Sequence, residues 1–251
     1  MKSHEDLCKR IKSMSHLDFI KNCSAVILAG GQGTRLRPVL ADRQKAVAPM
    51  DGKPFLSFLL EKLYSCGIEQ IILACGYKAE SVRAALMDFP DLEFSVECEP
   101  LGTGGGLLQA LRHSHQDHLL VMNGDSYLDF DLGEFLQWFA AKQCPAGMVL
   151  NKSVDSSRYG QVSLASDGLI SSFVEKGQGV DTGWINAGIY CFRKDLFASL
   201  PWQGKFSLEK DLFPFLVAEQ KLWGYPCEAY FIDIGTPESW RQAQTYFANK
   251  K

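Results

Sequence analysis

SAVILAGGQGTRLRPVLADRQK, residues 24–45, is the stretch whose reading decides the fold. Its opening run, AVILA at 25–29, is apolar, partly β-branched and without polar alternation. A strand buried on both faces of a parallel sheet reads this way. Gly30, Gly31 and Gly33 follow at once, then Thr34, Arg35, Leu36, Arg37 and, further on, Lys45. Glycines let backbone N–H groups turn toward an anion without Cβ obstruction, and the cations beyond would neutralise it. The expectation is a polyphosphate cradle at the end of a strand. The plain alternative, a glycine-rich turn and no more, does not call for three cations. A dinucleotide fingerprint needs glycine where Leu36 stands, and Asp51 lies in a turn-like MDGKP, not at a strand end. No G-x-x-x-x-G-K-[ST] string occurs, so this is not a P-loop either.

Outward from that stretch the chain alternates. The pattern predicts a helix over 55–66, closed by Gly67, a strand over 70–75, a helix over 80–88 and a strand over 93–98. A second glycine loop, EPLGTGGG at 99–106, leads into a predicted helix at 107–113. A strand over 119–122 ends at Asn123-Gly124-Asp125, and a helix over 132–142 and a strand from 147 follow. Strands alternating with helices of this length imply an α/β fold with a mostly parallel central sheet and right-handed crossovers. Ligands then bind beyond the carboxyl ends of the strands, so both glycine loops and Asp125 can face one cleft.

Past residue 150 the pattern changes. Segments 161–165 and 169–174, separated by Ser-Asp-Gly, read as a hairpin. A strand over 184–192, helices over 194–200 and 208–219, strands within 225–234 and a closing helix over 237–247 complete the chain. The division expected is an extension at 1–23 and one domain at 24–247. Its nucleotide-binding part is about 24–150, and its β-rich sugar-binding part about 151–247 lies over the cleft. Residues 1–22, with Leu7, Ile11, Met14 and Leu17 at helical spacing, read as an amphipathic extension on the surface or in a homodimer contact.

At 251 residues and 46% hydrophobic, the chain can bury a large core. Lys and Arg number 26 against 29 Asp and Glu, a net charge of −3, so binding to nucleic acid by counterion release is not expected and the phosphate ligand should be small. Eight cysteines without a C-x-x-C pair, several in apolar runs, read as reduced fillers of a cytoplasmic protein. No apolar run suggests a membrane span or a signal peptide. His113, His115 and His118 have mixed spacing and no clustered cysteine, so a solvated polar loop is expected there, not a zinc site.

The strings LAGGQGTRLRP, Lys45, EPLGTGGG, NGD, RYG, EKG, NAGIY and DIGTPE occur in this order along residues 24–247. The chain thereby resembles the sugar-1-phosphate nucleotidyltransferases over nearly its whole length. Within that family the likeness is to the short bacterial D-glycero-α-D-manno-heptose 1-phosphate guanylyltransferases, through EPLGTGG, the FSLE at 206–209 and YFIDIG at 230–235. The resemblance implies a Rossmann-like nucleotidyltransferase (GT-A-like) fold. It also implies an in-line attack of a sugar 1-phosphate on the α-phosphorus of an NTP, with Mg2+ as cofactor and pyrophosphate leaving.

By the same resemblance Asp125 and Asp233 are the Mg2+ ligands, and Arg35 and Lys45 face the phosphates. One departure is that Ala46 follows Lys45 where the family usually has proline. Leu28, Ala29, Gly30, Gly31, Gly33 and Thr34, with Gly102, Thr103, Asn123 and Gly124, would line the nucleotide. Gly160, Glu175 and Asn186 would meet sugar hydroxyls, and Lys176 the sugar phosphate. Glu175-Lys176 reads equally as a solvated ion pair. Glu97 stands where uridylyl and thymidylyl relatives typically carry glutamine. A carboxylate only accepts hydrogen bonds, and guanine offers N1–H and N2–H side by side, so GTP is expected. The alternatives are a mannose-1-phosphate guanylyltransferase, an N-acetylmuramate-1-phosphate uridylyltransferase or a non-catalytic nucleotide-sugar sensor. A GDP-heptose would feed surface polysaccharide.

Overall fold

The computed structural model describes residues 16–31, 33, 36, 40, 44–152, 158–175 and 183–250. Helix α1 (His16–Lys21) leads into β1 (Cys23–Leu28). A short hairpin of β2 (Pro49–Met50) and β3 (Lys53–Pro54) precedes α2 (Phe55–Cys66). Then come β4 (Gln70–Cys75), α3 (Ala79–Ala85), β5 (Leu92–Val96), α4 (Gly102–Ala110), β6 (His118–Asn123), β7 (Ser126–Leu128) and α5 (Leu132–Lys142). The remainder holds β8 (Ala146–Lys152), β9 (Gln161–Leu164), β10 (Ile170–Val174), β11 (Trp184–Arg193), α6 (Phe213–Ala218), β12 (Leu222–Cys227), β13 (Phe231–Asp233) and α7 (Pro237–Asn249).

The path β10-β9-β11-β6-β1-β4-β5 runs through a nine-stranded sheet, in which β8 also pairs with β11, and β12 with β8. β1 pairs in parallel with β4 and β6, as an apolar run buried on both faces requires. Ala25 and Ile27 belong to the core on one face, and Val26 to the core on the other. β11 then joins β6 antiparallel, Ile189 opposite Met122 through Arg193 opposite His118. The hairpin and β8 are therefore strands of the same sheet. This is the α/β, mostly parallel arrangement with flanking helices that the sequence leads one to expect.

Several local expectations change. The second glycine segment is helical from Gly102, and the helix ends at Ala110 instead of running from 107 to 113. Its glycines admit a distant segment. A Cβ on Gly102, which has φ +76°, would lie 2.6 Å from the Phe206 carbonyl, and one on Gly104 would strike the Phe206 ring. The amides of Gly104 and Gly105 donate to that carbonyl, so Phe206 caps the helix. Residues 194–199 form a 3₁₀ helix, and 208–212 are a π turn ahead of α6. Pro214 lacks the N–H that an α-turn would give to the Lys210 carbonyl. His118 does not sit in a solvated loop. It opens β6 at 2% exposure with its ring against Phe19, and burial lowers its pKa to about 4. Phe19 and Ile20 are core residues, so the end of the N-terminal segment is buried, not laid on the surface.

Candidate active site

A cleft of about 880 Å3 opens beyond the carboxyl ends of β1 and β6. Its floor is the end of β1, Leu28 and Ala29, followed by Gly30 and Gly31. Gln44, 3% exposed, fastens this turn: its amide nitrogen donates to the Ala29 carbonyl at 2.6 Å and the Gly31 carbonyl at 3.3 Å, and its oxygen accepts from the Ala46 amide. Lys45, next in sequence, is thereby aimed into the cleft. Gly33 is not among the lining residues. It has φ +57° and packs on Lys45, whose Cβ would stand 2.8 Å from an added Cβ.

Lys45 Nζ donates to Asp125 Oδ2 at 2.5 Å. Burial opposes ionisation of Asp125, but the Lys45 ammonium and the Ser126 hydroxyl outweigh it and hold the carboxyl below its usual range. Gly124, ahead of Asp125, must be glycine, since an added Cβ would lie 2.8 Å from the Leu28 carbonyl. Asp233 arrives from a hundred residues away on β13, which pairs antiparallel with β7 so that Asp233 lies opposite Ser126. The Ile234 amide donates to the Asp125 carbonyl at 2.9 Å, so Asp125, in the turn between β6 and β7, lies beside the end of β13 that carries Asp233. Tyr159 donates to Asp233 Oδ2 at 2.6 Å, Arg158 to the same oxygen at 3.1 Å, and the Gly235 amide to Oδ1 at 2.6 Å.

Toward the other end, Glu97 follows β5, and its Oε2 accepts from the Leu101 amide at 3.1 Å. Its carboxylate lies among Gly30, Gly76 and Gly106, and a Cβ on Gly106 would strike its Oε1. Burial raises the Glu97 pKa, and the Leu101 amide offsets part of the rise. Gly102, Thr103, Asn123 and Gly124 line the same cleft, as do Gly160, Glu175 and Asn186. Asn186 sits at a bulge of β11: its oxygen accepts from the Gly188 amide at 2.9 Å and its nitrogen donates to the Tyr190 hydroxyl at 2.9 Å. Gly188 has φ +75°, and an added Cβ would lie 2.9 Å from the Asn123 amide nitrogen.

The described candidates other than Gly33 therefore share one cavity. Thr34, Arg35 and Lys176 lie outside the described residues. Sequence reading did not single out Gln44, Arg158, Tyr159, Ser207, Glu209 or Lys210, all of which line the cleft. Arg158 and Tyr159 belong to RYG, from which only Gly160 was assigned, and Glu209 belongs to FSLE, noted only as a likeness. Among the described residues no group of three or more His, Cys, Asp and Glu side chains is placed to hold a metal. Two carboxylates, one in the turn that opens β7 and one at the end of its partner β13, completed by ligand phosphates and water, suit Mg2+, which takes few protein oxygens and keeps several waters.

The family model described as "Nucleotidyl transferase" matches residues 24–250. The chain belongs to the nucleotidyl transferase family. It is 35% identical over 223 residues, 88% of this chain and 96% of the relative, to D-glycero-alpha-D-manno-heptose 1-phosphate guanylyltransferase of Aneurinibacillus thermoaerophilus. To the protein of the same name in Campylobacter jejuni it is 39% identical over 222 residues, 86% of this chain and 96% of the relative. The crystal structure of HddC from Yersinia pseudotuberculosis complexed with GMP-PN superposes with a TM-score of 0.77 at 35% identity, covering 89% of this chain and 99% of that one. The chain is thus an enzyme of nucleotidyl transfer. Among the described residues no helix is long and apolar enough to cross a membrane.

Proposed function

We propose that this nucleotidyltransferase transfers GMP from GTP to a sugar 1-phosphate, D-glycero-α-D-manno-heptose 1-phosphate, releasing pyrophosphate and GDP-heptose. The observation that carries the reading is the meeting of Lys45, Asp125 and Asp233 at the mouth of the Gly30–Gly31 turn, with Glu97 beside Gly30 in the same cleft. A phosphate oxygen of the sugar 1-phosphate bonds to the α-phosphorus of GTP as the α–β bridging P–O bond breaks, and pyrophosphate departs with that oxygen. Such a displacement needs positioning and charge stabilisation, with no covalent enzyme intermediate.

Lys45 faces the phosphates and, through its bond to Asp125, holds that carboxylate ionised and oriented. Tyr159, Arg158 and the Gly235 amide fix Asp233. Asp125 and Asp233 would hold Mg2+, which would supply charge neutralisation on the phosphates. Glu97 accepts from the guanine N1–H and N2–H edge. Gly102, Thr103, Asn123 and Gly124 shape the nucleoside end, while Gly160, Glu175 and Asn186 face the sugar. The names and lengths of the two heptose 1-phosphate relatives support the choice of heptose.

The test is pyrophosphate release by purified protein with Mg2+, each of the four NTPs and a panel of sugar 1-phosphates that includes mannose and N-acetylmuramate. GTP with the heptose 1-phosphate is expected to give the highest kcat/KM. A preference for UTP or dTTP would overturn the reading of Glu97, and binding without turnover would favour a sensor.

A further inference from the structure

A carboxylate on the acceptor side of the cleft has no part in the scheme above. Glu209 lines the cavity from the π turn, beside Ser207 and Lys210. Its Oε2 takes two hydroxyl donors, Thr103 Oγ1 at 2.8 Å and Ser207 Oγ at 2.9 Å. Among the described residues no donor reaches its Oε1. Thr103 Oγ1 also accepts from the Leu208 amide at 2.9 Å. A hydroxyl has one proton, and that of Thr103 is committed to Glu209, so Thr103 has no donor left for a ligand. The anchoring extends further: the Ser207 amide donates to Asp211 Oδ2 at 2.7 Å, and the Phe206 amide to the Leu101 carbonyl at 3.1 Å. The carboxylate is thus held by both walls of the cleft, with one oxygen fully engaged.

We propose that Glu209 reads a hydroxyl of the acceptor sugar through Oε1, and that Thr103 is the positioning residue that turns it there. This rests on the reading of the cleft as a sugar-1-phosphate nucleotidyltransferase site. A fixed anion repels phosphates, so the part of the ligand beside it is neutral, and an acceptor-only group requires a donor such as a sugar hydroxyl. The guanine edge is met by Glu97. The π turn that carries Glu209 leads into Phe213, whose ring packs on Tyr190 of the strand that carries Asn186 and Gly188, at 4.9 Å between centroids. Glu209 also acts electrostatically on buried Tyr190, whose hydroxyl pKa lies well above the ordinary tyrosine value, chiefly through burial and then through the Glu209 charge. Tyr190 in turn accepts from the Asn186 amide at 2.9 Å, so the segment that carries Glu209 packs against the strand of the proposed sugar contacts.

Glu209→Gln keeps an oxygen for Thr103 and Ser207 but turns an N–H2 donor toward the ligand. With wild type established to release pyrophosphate from GTP and a sugar 1-phosphate, the variant is expected to lose about tenfold to a hundredfold in kcat/KM for that acceptor, the worth of one charge-assisted hydrogen bond. The KM for GTP should stay within about twofold. Monodeoxy mannose 1-phosphates sharpen the readout: one of them should be slower than its parent with wild type and equal to it with the variant. Thr103→Val should move acceptor kcat/KM in the same direction and Thr103→Ser should restore it, so the test survives if Glu209→Gln fails to fold. A rise in the GTP KM of Glu209→Gln, an unchanged acceptor kcat/KM, or equal loss of acceptor kcat/KM in Thr103→Ser and Thr103→Val would overturn the proposal. Absence of turnover by wild type with every acceptor would instead defeat the reading of the cleft.

Discussion

Replacing Glu97 by glutamine tests how the base is chosen. The side chain is held by the Leu101 amide at 3.1 Å and enclosed by Gly30, Gly76 and Gly106, so the isosteric amide has little room to rotate away. The Leu101 N–H retains the remaining oxygen, which leaves the new N–H2 facing the N1–H and N2–H of guanine. One charge-assisted hydrogen bond is lost, at about 1.5–3 kcal/mol, and desolvated donors are left opposed, at about 1–3 kcal/mol more. The sum is about 2.5–6 kcal/mol, or a fall of about two to four decades in kcat/KM for GTP. Uracil presents carbonyl oxygens beside its N–H, so the same amide should lose nothing with UTP, and the GTP/UTP ratio should collapse. The assay is pyrophosphate release with each nucleotide at a fixed acceptor concentration, alongside a thermal melt to show that folding is intact. There is also a pH signature. Because burial raises the Glu97 pKa, wild-type use of GTP should decline on the acid side at a higher pH than an ordinary glutamate would give, and the variant should lack that limb. A GTP/UTP ratio within about threefold of wild type in a folded variant would refute the reasoning.

Lys45→Met should lower kcat by about two to three decades, the loss typical of one transition-state donor. With the ammonium gone, burial would be opposed only by the Ser126 hydroxyl and a backbone bond, so any acid limb belonging to the Asp125 carboxyl should move to higher pH in a rate profile. Tyr159→Phe removes the 2.6 Å bond to Asp233 and should weaken Mn2+ binding about tenfold, read by electron paramagnetic resonance with GTP present. Unchanged Mn2+ affinity would separate Asp233 from the metal. His118 is neutral in the fold, with a pKa near 4 against about 6.5 unfolded, so the unfolded chain takes up the proton first as pH falls. Stability should therefore drop by about 3 kcal/mol between pH 7 and pH 4 on this group's account, and His118→Leu should flatten that slope in urea unfolding.

What the sequence made legible follows from locality. Residues 55–66, 70–75 and 132–142 match their elements because periodicity, a closing Gly67 with φ +88° and the Asp131 cap lie within a few residues of one another. The turn at 30–31 was legible because an apolar strand ending in glycines must break off there. The start of α4 was not. Five residues of GTGGG argue against a helix, and the reason they form one is Phe206, a hundred positions away. β7 has three residues and no pattern of its own; it exists by pairing with β13. Gln44, Tyr159 and Glu209 escaped for a related reason. Each is a single polar residue whose significance lies in what it is bonded to, and spacing carries no trace of that.

The bonding of β11 to β6 limits how the acceptor specificity of this enzyme can be re-engineered. The strand that carries the proposed sugar contacts is hydrogen-bonded along Ile189–Arg193 to the strand that ends at Asn123-Gly124-Asp125. A chimera spliced near residue 150, joining this nucleotide half to the second half of a relative, would have to rebuild that ladder and the Gly188–Asn123 contact across the seam. Block recombination should accordingly give insoluble protein far more often than new acceptors. Grafting confined to the turns at the rim, with the ladder untouched, is the route by which one scaffold of this kind can be passed from sugar to sugar.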